Sequence, residues 1–365
     1  MVKMIQAQRQ LFASGVTRSM AYRIDQLGRL KDGLETCQDQ LLRSLQDDLG
    51  KPALEAYSAE LGFVLRDIRH AIRKLPKWMK ATRVRTPWMT APSRAEVQSD
   101  PLGVVLILGP WNYPVQLLLS PLVGALAAGN CACLKPSEQA PATAETIRSL
   151  IAELFPDQLV TVSCGGPEQA AELVRQPFDH IFFTGSGRVG RKVLAGAAEN
   201  LTPVTLELGG KSPCVVCADA DPALSARRIM WGKLLNAGQT CVAPDHVLVE
   251  APIREALLEE LKRASYAMVP RREPETGVDG YGRILNTTHF DRLKSYLDQG
   301  RIDSGGECDR ATLTFFPTVL VDSEPDAPVM QEEIFGPILP VLSCRDFDEA
   351  LVRIKGQPKP LAAYL

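Results

Sequence analysis

Residues 180–190 have the sequence HIFFTGSGRVG, an apolar run that leads directly into three closely spaced glycines. The run HIFFT predicts a buried β-strand, and the residues after the glycines predict a helix. Glycines in such a turn let the backbone approach a pyrophosphate, and the helix N-terminus adds N–H donors and a partial positive charge. A tight turn without a ligand would need similar glycines. The stretch therefore predicts a β-α unit and leaves a dinucleotide site as one of two interpretations.

The same alternation of strand and helix continues on both sides of this stretch. Strands are predicted at CACLK (131–135), LVTVSC (159–164), VTLELG (204–209), PCVVCA (213–218) and HVLVEA (246–251). Helices are predicted over 141–155, 167–175, 221–235 and 253–267. This β-α-β order predicts an α/β fold with a doubly wound parallel sheet. The paired glycines near 206–210 suggest a domain break, which gives domains 1–206 and 207–365.

The N-terminal part of the chain has a different pattern. Apolar residues at helical spacing predict helix from about residue 24 to 80, whereas residues 81–100 lose this period and predict extended chain or a projecting hairpin. The first 24 residues carry basic side chains and no acid, which is compatible with a transit peptide or with an ordinary N-terminal helix. We favour the helix because no secretory apolar core or cleavage site accompanies it.

Residues 102–130 are apolar enough to raise the question of a membrane span. Three prolines, Asn112 and Gln116 interrupt the run. A buried strand, a loop and a buried helix explain this pattern better than a transmembrane helix does.

Composition excludes several function classes. The chain has 365 residues, 45% of them hydrophobic and 23% charged, which argues against disorder or coiled coil. A net charge of −2 gives no field that would favour nucleic acid or an anionic membrane. Nine cysteines are too few for a disulfide framework in a chain this long, so a reducing, cytoplasmic location is expected.

Cysteine positions separate into two kinds. Cys241 follows a small-residue loop, NAGQT, where a thiolate could act as a nucleophile, although an isolated cysteine is more often an inert buried side chain. Cys214 and Cys217 form a C-x-x-C pair, but no second pair or nearby histidine completes a metal site. We therefore expect no metal.

Six segments in order resemble motifs of the aldehyde dehydrogenase superfamily. They are GPWNYP (109–114), KPSE (135–138), FTGSGRVG (183–190), LELGGKSP (206–213), NAGQTCVAPD (236–245) and EEIFGPILPV (332–341). The short N-terminus and its SGVTRS sequence are similar to the class 3 branch, which includes fatty aldehyde dehydrogenases. The resemblance implies a Rossmann-like NAD(P)-binding domain over 1–206, with 81–100 as an oligomerisation hairpin, and an α/β catalytic domain over 207–365.

The resemblance also implies the reaction and its residues. Cys241 matches the nucleophile that forms a thiohemiacetal and then a thioester, and Glu207 matches the base that activates water. Asn112 matches the side chain that stabilises the oxyanion together with the Cys241 backbone N–H. Loss of one such donor typically raises the barrier by about 2.7–4 kcal/mol.

Cofactor residues follow from the same comparison. Lys135 and Glu138 match contacts to the adenosine ribose, where Glu138 would favour NAD over NADP through repulsion of a 2′-phosphate. The branch accepts both cofactors. The remaining matches are the pyrophosphate turn, Gly185, Ser186 and Gly190, and the nicotinamide contacts, Glu333 and Phe335.

The implied substrate is an apolar aldehyde, either medium- or long-chain aliphatic or aromatic. Trp111, Tyr113 and Trp231 lie beside or between the motifs and are candidates for an apolar tunnel, although they could equally be core residues. A homodimer that contacts through 81–100 is expected. The family continues beyond the equivalent of Leu365, so the catalytic domain is expected to be incomplete at its C-terminus, and membrane association stays open.

Two rival functions remain at this point. One is a thiol esterase that uses Cys241 and Glu207 without a cofactor. The other is a non-catalytic remnant that binds NAD or a partner without turnover.

Overall fold

The structure is a computed structural model that describes residues 2–269 and 280–365. Within these residues the helices are α1 (Val2–Ala13), α2 (Met20–Thr36), α3 (Gln38–Leu49), α4 (Ala53–Ala56), α5 (Gly62–Trp78), α6 (Gln116–Ala128), α7 (Pro141–Leu154), α8 (Pro167–Val174), α9 (Gly187–Ala197), α10 (Pro222–Leu234), α11 (Arg254–Met268), α12 (Thr287–Lys294), α13 (Pro328–Gln331) and α14 (Phe347–Lys355). The strands are β1 (Thr82–Val84), β2 (Ala95–Val97), β3 (Val104–Leu108), β4 (Cys131–Lys135), β5 (Val160–Val162), β6 (His180–Gly185), β7 (Val204–Leu208), β8 (Pro213–Val216), β9 (His246–Glu250), β10 (Arg301–Ser304), β11 (Cys308–Asp309), β12 (Thr314–Phe315), β13 (Thr318–Val321) and β14 (Ile338–Cys344).

Two compact units make up the chain. The first comprises Met1–Leu45 and Ala56–Glu207, and the second comprises Gln46–Glu55 and Leu208–Leu365. Each unit contains one five-stranded sheet. The predicted α/β fold is confirmed, whereas the assignment of a cofactor role to residues 1–206 and a catalytic role to 207–365 stays a prediction.

The first unit is built on a sheet with the strand order β5-β4-β3-β6-β7. Strand β3 pairs in parallel with β4 on one side and with β6 on the other, so that Leu108 lies opposite both Lys135 and Phe183. Every residue of β3 and β4 is buried, as expected for a parallel sheet covered on both faces. From β3 the chain continues to β4 and β5 on one side of the sheet and then crosses to β6 and β7 on the other side. The topological switch point therefore lies between β3 and β6.

Helices at the start of the chain cover this sheet. In α1, Ile5 is buried and the Gln8 side-chain amide donates to the carbonyl of Ala132 at 2.9 Å, so α1 packs against β4 and the predicted N-terminal helix is confirmed. The stretch predicted as helix from 24 to 80 is divided into α2 to α5. One break lies at Gly50 and Pro52, because Gly50 has a φ of 65° and proline disfavours helix in the residue before it.

Residues 81–100 contain a short antiparallel hairpin. Thr82 pairs with Val97 and Val84 with Ala95. Between the two strands, Trp88 is 86% exposed. The projecting hairpin is therefore present, and its role in association stays a prediction.

The second unit has a sheet with the strand order β10-β13-β14-β9-β8. Strands β13, β14, β9 and β8 are parallel, and β10 is an antiparallel edge strand. Tyr364 adds an isolated parallel bridge beside Cys214 in β8. Helix α10 begins at Pro222, where the Asp221 carboxylate accepts the N–H groups of Ala223 and Leu224 at 2.9 and 3.1 Å.

The apolar run 102–130 forms strand β3, a loop and the buried helix α6, as the interrupting prolines predicted. Among residues 2–269 and 280–365, no helix is long and apolar enough to cross a membrane.

Candidate active site

In the first unit, the predicted cofactor residues follow the carboxyl ends of neighbouring parallel strands. Lys135 is the last residue of β4, and Gly185 is the last residue of β6. Both strands flank β3, whose carboxyl end leads into the GPWNYP loop. Ligands of doubly wound folds bind at this edge, beside the switch point. The topology therefore collects three of the six motifs at one edge of one sheet.

Lys135 and Glu138 form an ion pair at this edge. The Lys135 ammonium donates to Glu138 Oε2 at 2.6 Å, and the Lys135 side chain is only 5% exposed. Glu138 is more open, with 36% of its side chain accessible. The pair presents a cation and an acceptor that suit the hydroxyls of a ribose.

The turn between β6 and α9 has the geometry of an anion-binding helix N-terminus. Ser186 is the N-cap of α9, and its hydroxyl accepts from the N–H of Val189 at 3.4 Å. Gly190 lies in the first turn and is buried. A Cβ atom at Gly185 would lie 2.6 Å from the Phe183 ring, so a larger residue would require that ring to move. The backbone N–H groups of such a turn can bind a phosphate.

The loop that carries Asn112 is fixed by a buried carboxylate. Glu60 is fully buried in a π-helical turn, Tyr57–Leu61, and its Oε2 accepts the N–H groups of Val115 and Gln116 at 2.8 and 3.2 Å. These N–H groups belong to the N-cap and first residue of α6, where a negative charge is favourable. Asn112 lies just before this turn and is only 4% exposed. Glu60 therefore determines where the Asn112 loop joins α6.

Removing this carboxylate should destabilise the first unit. We expect Glu60→Ala to lower the free energy of unfolding by about 2–3 kcal/mol, because two buried N–H groups lose their acceptor. Glu60→Gln keeps an oxygen acceptor and should lose about half as much. Urea unfolding monitored by tryptophan fluorescence measures both. As a matched control, Glu145→Ala removes an exposed carboxylate paired with Arg148 and should change little. An unchanged midpoint for Glu60→Ala would contradict this account.

Glu207 lies in β7, the edge strand of the first sheet. Its side chain is exposed, and the paired glycines Gly209 and Gly210 follow it. An exposed edge position leaves a carboxylate accessible to water and substrate.

In the second unit, Cys241 follows a turn of unusual backbone conformation. Asn236 and Ala237 both have positive φ angles, of 54° and 53°, and Gly238 follows with a φ of 77°. Left-handed residues other than glycine cost about 1–3 kcal/mol each and concentrate at functional sites. We infer that the turn keeps this strained conformation because it places Cys241.

Side-chain hydrogen bonds stabilise this turn. The Gln239 amide donates to the carbonyls of Asn236 and Arg283, both at 3.0 Å, and its oxygen accepts the N–H of Leu285 at 2.9 Å. Glu55 accepts the N–H of Asn236 at 2.6 Å. The left-handed turn is thus fixed from several parts of the second unit.

The turn also packs against the segment that contains Glu333 and Phe335. A Cβ atom at Gly238 would lie 2.3 Å from the carbonyl carbon of Gly336, so the two backbones are in contact. Phe335 itself has a φ of 50°. The structure therefore brings together two segments that are separated in sequence but adjacent in the predicted mechanism.

Glu333 has an incompletely satisfied carboxylate. It accepts the N–H of Gly210 and packs over Gly209, where a Cβ atom would be 2.3 Å from Oε1. Burial raises the pKa of Glu333 to about 7. Its Oε1 atom is buried and has no hydrogen-bond partner among the described residues. An unpaired buried acceptor fits the hydroxyl group of a nicotinamide ribose.

The candidate tunnel residues occupy different environments. Tyr113 is 6% exposed and Trp111 is half-buried, both in the loop after β3. Trp231 lies on α10 in the second unit and is 64% exposed. Their role in binding an aldehyde stays a prediction.

Other cysteines are less suited to nucleophilic chemistry. Burial raises the pKa of Cys131, Cys133 and Cys214 to about 12, so these thiols stay protonated and inert. Cys241 is half-buried. Across the described part of the chain, no group of histidine, cysteine or acidic side chains could hold a metal ion.

Sequence reasoning missed a set of buried ionisable residues in the second unit. They are Lys211, Lys233, Asp245 and His246, each no more than 9% exposed. Charged side chains inside apolar stretches such as IMWGKLL and PDHVLV were the available signal. Burial lowers the pKa of Lys233 to about 8 and that of His246 to about 4.

His246 should make the protein sensitive to acid. Between pH 6.5 and 4 the unfolded chain binds a proton at this residue that the folded chain does not bind, so stability falls as pH is lowered. The loss amounts to about 3 kcal/mol at pH 4. We expect His246→Leu to lose less stability than the wild type over this range, as measured by urea unfolding at each pH. His246→Gln cannot titrate either and should show the same pH dependence as His246→Leu; different slopes would assign the effect to another group.

Comparison with known proteins places these features in one family. The family model described as "Aldehyde dehydrogenase family" matches residues 1–365. The chain belongs to the aldehyde dehydrogenase family. It is an oxidoreductase that oxidises an aldehyde with NAD(P)+. The family predicted from the six motifs is confirmed.

Individual relatives cover the whole chain. Aldehyde dehydrogenase family 3 member A2 of Rattus norvegicus is 43% identical over 368 residues, which cover 100% of this enzyme and 75% of the relative. The rat protein named "Aldehyde dehydrogenase, dimeric NADP-preferring" is 42% identical over 361 residues, covering 99% of this enzyme and 79% of the relative. A substrate-bound structure of AldH from Staphylococcus aureus is 40% identical with a TM-score of 0.96 and covers 100% of this enzyme and 79% of that chain.

Proposed function

We propose that this aldehyde dehydrogenase oxidises apolar aldehydes, either medium- or long-chain aliphatic or aromatic, to carboxylic acids through a covalent intermediate on Cys241. One observation carries the proposal. Cys241 is half-buried and follows a turn of consecutive left-handed residues that packs against the segment of Glu333 and Phe335. A partly accessible thiol that follows a fixed turn, packed against the segment of an unpaired acceptor, is an arrangement for chemistry rather than for packing.

The first step is attack of the Cys241 thiolate on the aldehyde carbon. A C–S bond forms, the carbonyl π bond breaks and the oxygen becomes an alkoxide. The Asn112 amide and the Cys241 backbone N–H donate hydrogen bonds to this oxyanion. The buried position of Asn112 and the fixed α6 entrance restrict the amide to few orientations.

The second step is collapse of the alkoxide, which re-forms the carbonyl and expels hydride from the same carbon. NAD(P)+ would supply the hydride acceptor for this step. Lys135 and Glu138 would bind its adenosine ribose, and the turn of Gly185, Ser186 and Gly190 would bind its pyrophosphate. Glu333 would accept from the nicotinamide ribose, and Phe335 would position the ring.

The third step is hydrolysis of the thioester. Glu207 takes a proton from water, the resulting hydroxide attacks the thioester carbon, and the C–S bond breaks to release the acid and the thiolate. The exposed position of Glu207 supports this role.

Cofactor choice and substrate class are parts of the same proposal. Glu138 would repel a 2′-phosphate, so NAD+ should bind more tightly than NADP+, although one relative is named NADP-preferring. Tyr113, Trp111 and Trp231 line the aldehyde site and favour apolar substrates.

The proposal also covers the association of two subunits and the location of the enzyme in the cell. The enzyme forms a homodimer through the hairpin of β1 and β2, whose Trp88 and Met89 are 86% and 78% exposed and would be covered by a second subunit. None of the nine cysteines, all of which lie within the described residues, forms a disulfide, which supports a reducing, cytoplasmic location.

A single-turnover experiment tests the function. Purified enzyme is mixed with octanal and NAD+ or NADP+, and the absorbance of the reduced cofactor is followed. We expect a burst close to one equivalent per active site, larger in rate with NAD+ and with octanal than with glycolaldehyde. A well-folded sample that gives no burst would overturn the proposed mechanism, and a faster burst with glycolaldehyde would overturn the substrate class.

A further inference from the structure

Lys211 makes three polar contacts in the interior of the second unit. Its ammonium donates to the Asp245 carboxylate, to the carbonyl of Val329 at 2.7 Å and to the carbonyl of Glu332 at 3.1 Å. The residue is 9% exposed. An ammonium group has three donors, so all of them are used within the protein.

Asp245 completes the arrangement from the other side. Its second oxygen, Oδ1, accepts the N–H of Ile334 at 2.8 Å, and the residue is 3% exposed. The Asp245 backbone N–H donates to the carbonyl of Ser212 at 2.8 Å. The side chains of Lys211 and Asp245 therefore bind backbone groups of the segment 329–334. A backbone hydrogen bond also links Asp245 to Ser212, the residue after Lys211.

These contacts lie on both sides of Glu333. Lys211 binds the carbonyl of the residue before it, and Asp245 binds the N–H of the residue after it. Lys211 is also next to Gly210, whose N–H donates to the Glu333 carboxylate. One ion pair thus binds the peptide groups on both sides of Glu333, next to the carbonyls of Glu333 and Ile334 that accept from the Arg292 guanidinium at 3.3 and 2.7 Å.

Stability alone does not explain this cluster. The desolvation of buried charges usually offsets their attraction, so a buried ion pair adds little net stability. A second buried ammonium, Lys233, faces the same carboxylates of Asp245 and Glu333 and the cation of Lys211. Burial of two ammonium groups and two carboxylates in one apolar core costs desolvation free energy. This cost indicates that their geometry serves a function.

We propose that Lys211 and Asp245 are positioning residues that fix the backbone on both sides of Glu333 and so orient its carboxylate for the nicotinamide ribose. The inference rests on the proposed cofactor role of Glu333. The pair has no role in the attack of Cys241 on the aldehyde. Loss of the pair should therefore change only cofactor binding and hydride transfer.

Asp245→Asn is the first test. The asparagine can still accept from Ile334 through its oxygen, but the charge that binds Lys211 is lost. We expect the KM for NAD+ to rise and the rate of the NADH burst to fall, together by about 10- to 100-fold in kcat/KM. Hydrolysis of 4-nitrophenyl acetate, which needs Cys241 but no cofactor, should stay within about twofold.

Asp291→Asn is the matched control. Asp291 forms an exposed bidentate pair with Arg310 in the same unit, at 2.8 and 2.9 Å. The substitution makes the same chemical change at a solvated site, where an ion pair contributes little. Both activities should be unchanged.

A double variant separates positioning from folding. Lys211→Met and Asp245→Asn each leave one buried charge unpaired and should lower the melting temperature. Lys211→Met/Asp245→Asn removes both charges and should recover much of that loss. Its KM for NAD+ should stay raised, because the contacts of Lys211 with the carbonyls of Val329 and Glu332 are then lost.

Each outcome has one meaning. A normal KM for NAD+ in the double variant, or an equal loss of ester hydrolysis and NADH formation in Asp245→Asn, would overturn the positioning role. Glu333→Gln distinguishes this from failure of the proposed function. If Glu333→Gln leaves the KM for NAD+ unchanged, the cofactor role of Glu333 itself is wrong; if it raises that KM while Asp245→Asn does not, only the positioning inference fails.

Discussion

Cys241→Ala should abolish both aldehyde oxidation and ester hydrolysis. The variant has no thiol to form the thiohemiacetal or the acyl intermediate, so kcat should fall by at least about 10⁴-fold in both assays. Cofactor binding, followed by quenching of tryptophan fluorescence, should be retained because the first unit and Glu333 are unchanged. The left-handed turn before Cys241 is stabilised by Gln239 and Glu55, so the substitution should leave the fold intact.

Cys308→Ala provides the control for this variant. Cys308 is a free, half-buried thiol in the same unit, and burial raises its pKa, which disfavours the thiolate. Its loss should change neither activity. Appreciable turnover by Cys241→Ala, or an equal loss in Cys308→Ala, would remove Cys241 from the mechanism.

Glu207→Gln should separate hydride transfer from hydrolysis. The amide cannot accept a proton from water, so the thioester should accumulate while the first hydride is still transferred. We expect an NADH burst of normal size followed by steady-state turnover reduced about 10²- to 10⁴-fold. Mass spectrometry of the quenched protein should show the acyl group on Cys241.

Glu199→Gln is the matched control for Glu207. Glu199 is an exposed carboxylate of the first unit that pairs with Arg175, and its loss should leave turnover unchanged. An intact burst with normal steady-state turnover in Glu207→Gln would show that another group activates the water. Loss of the burst itself would place Glu207 before hydride transfer instead.

Much of the fold was predictable from local sequence. Helix α7 begins at Pro141 and α10 begins at Pro222, as predicted, because proline at the first helical position lacks only an N–H that would have no partner there. The strand CACLK coincides with β4, since a continuous apolar run bounded by polar residues suits a sheet buried on both faces. These properties depend on a few neighbouring residues.

The sequence also supplied the chemical identities of the candidate site. Cys241, Glu207 and Asn112 were selected because their motifs match those of one family, and the family is confirmed by comparison along the whole chain. Composition or periodicity alone did not distinguish Cys241 from eight other cysteines. Burial does distinguish several of them, because it raises the pKa of Cys131, Cys133 and Cys214.

Only the tertiary structure identified the residues that support the site. Glu60 caps a helix that begins more than fifty positions later in the chain, and Asp245 binds the backbone of Ile334, 89 positions away. The positive φ of Ala237 has no local signal, because alanine rarely adopts this conformation, whereas asparagine, the residue type at position 236, adopts it more often. The conformation of the turn is fixed by Glu55, Gln239 and the close approach of Gly336 to Gly238.

The sequence by itself therefore determined the order of strands and helices between residues 102 and 267, the family and the candidates for the reactive side chains, since these depend on local hydrogen bonding, hydrophobic periodicity and residue chemistry. Tertiary structure decided which backbone groups the buried carboxylates of Glu60 and Asp245 bind. Hydrogen bonds between distant segments depend on how the chain folds back on itself, and no local pattern records which buried lysine meets which carboxylate.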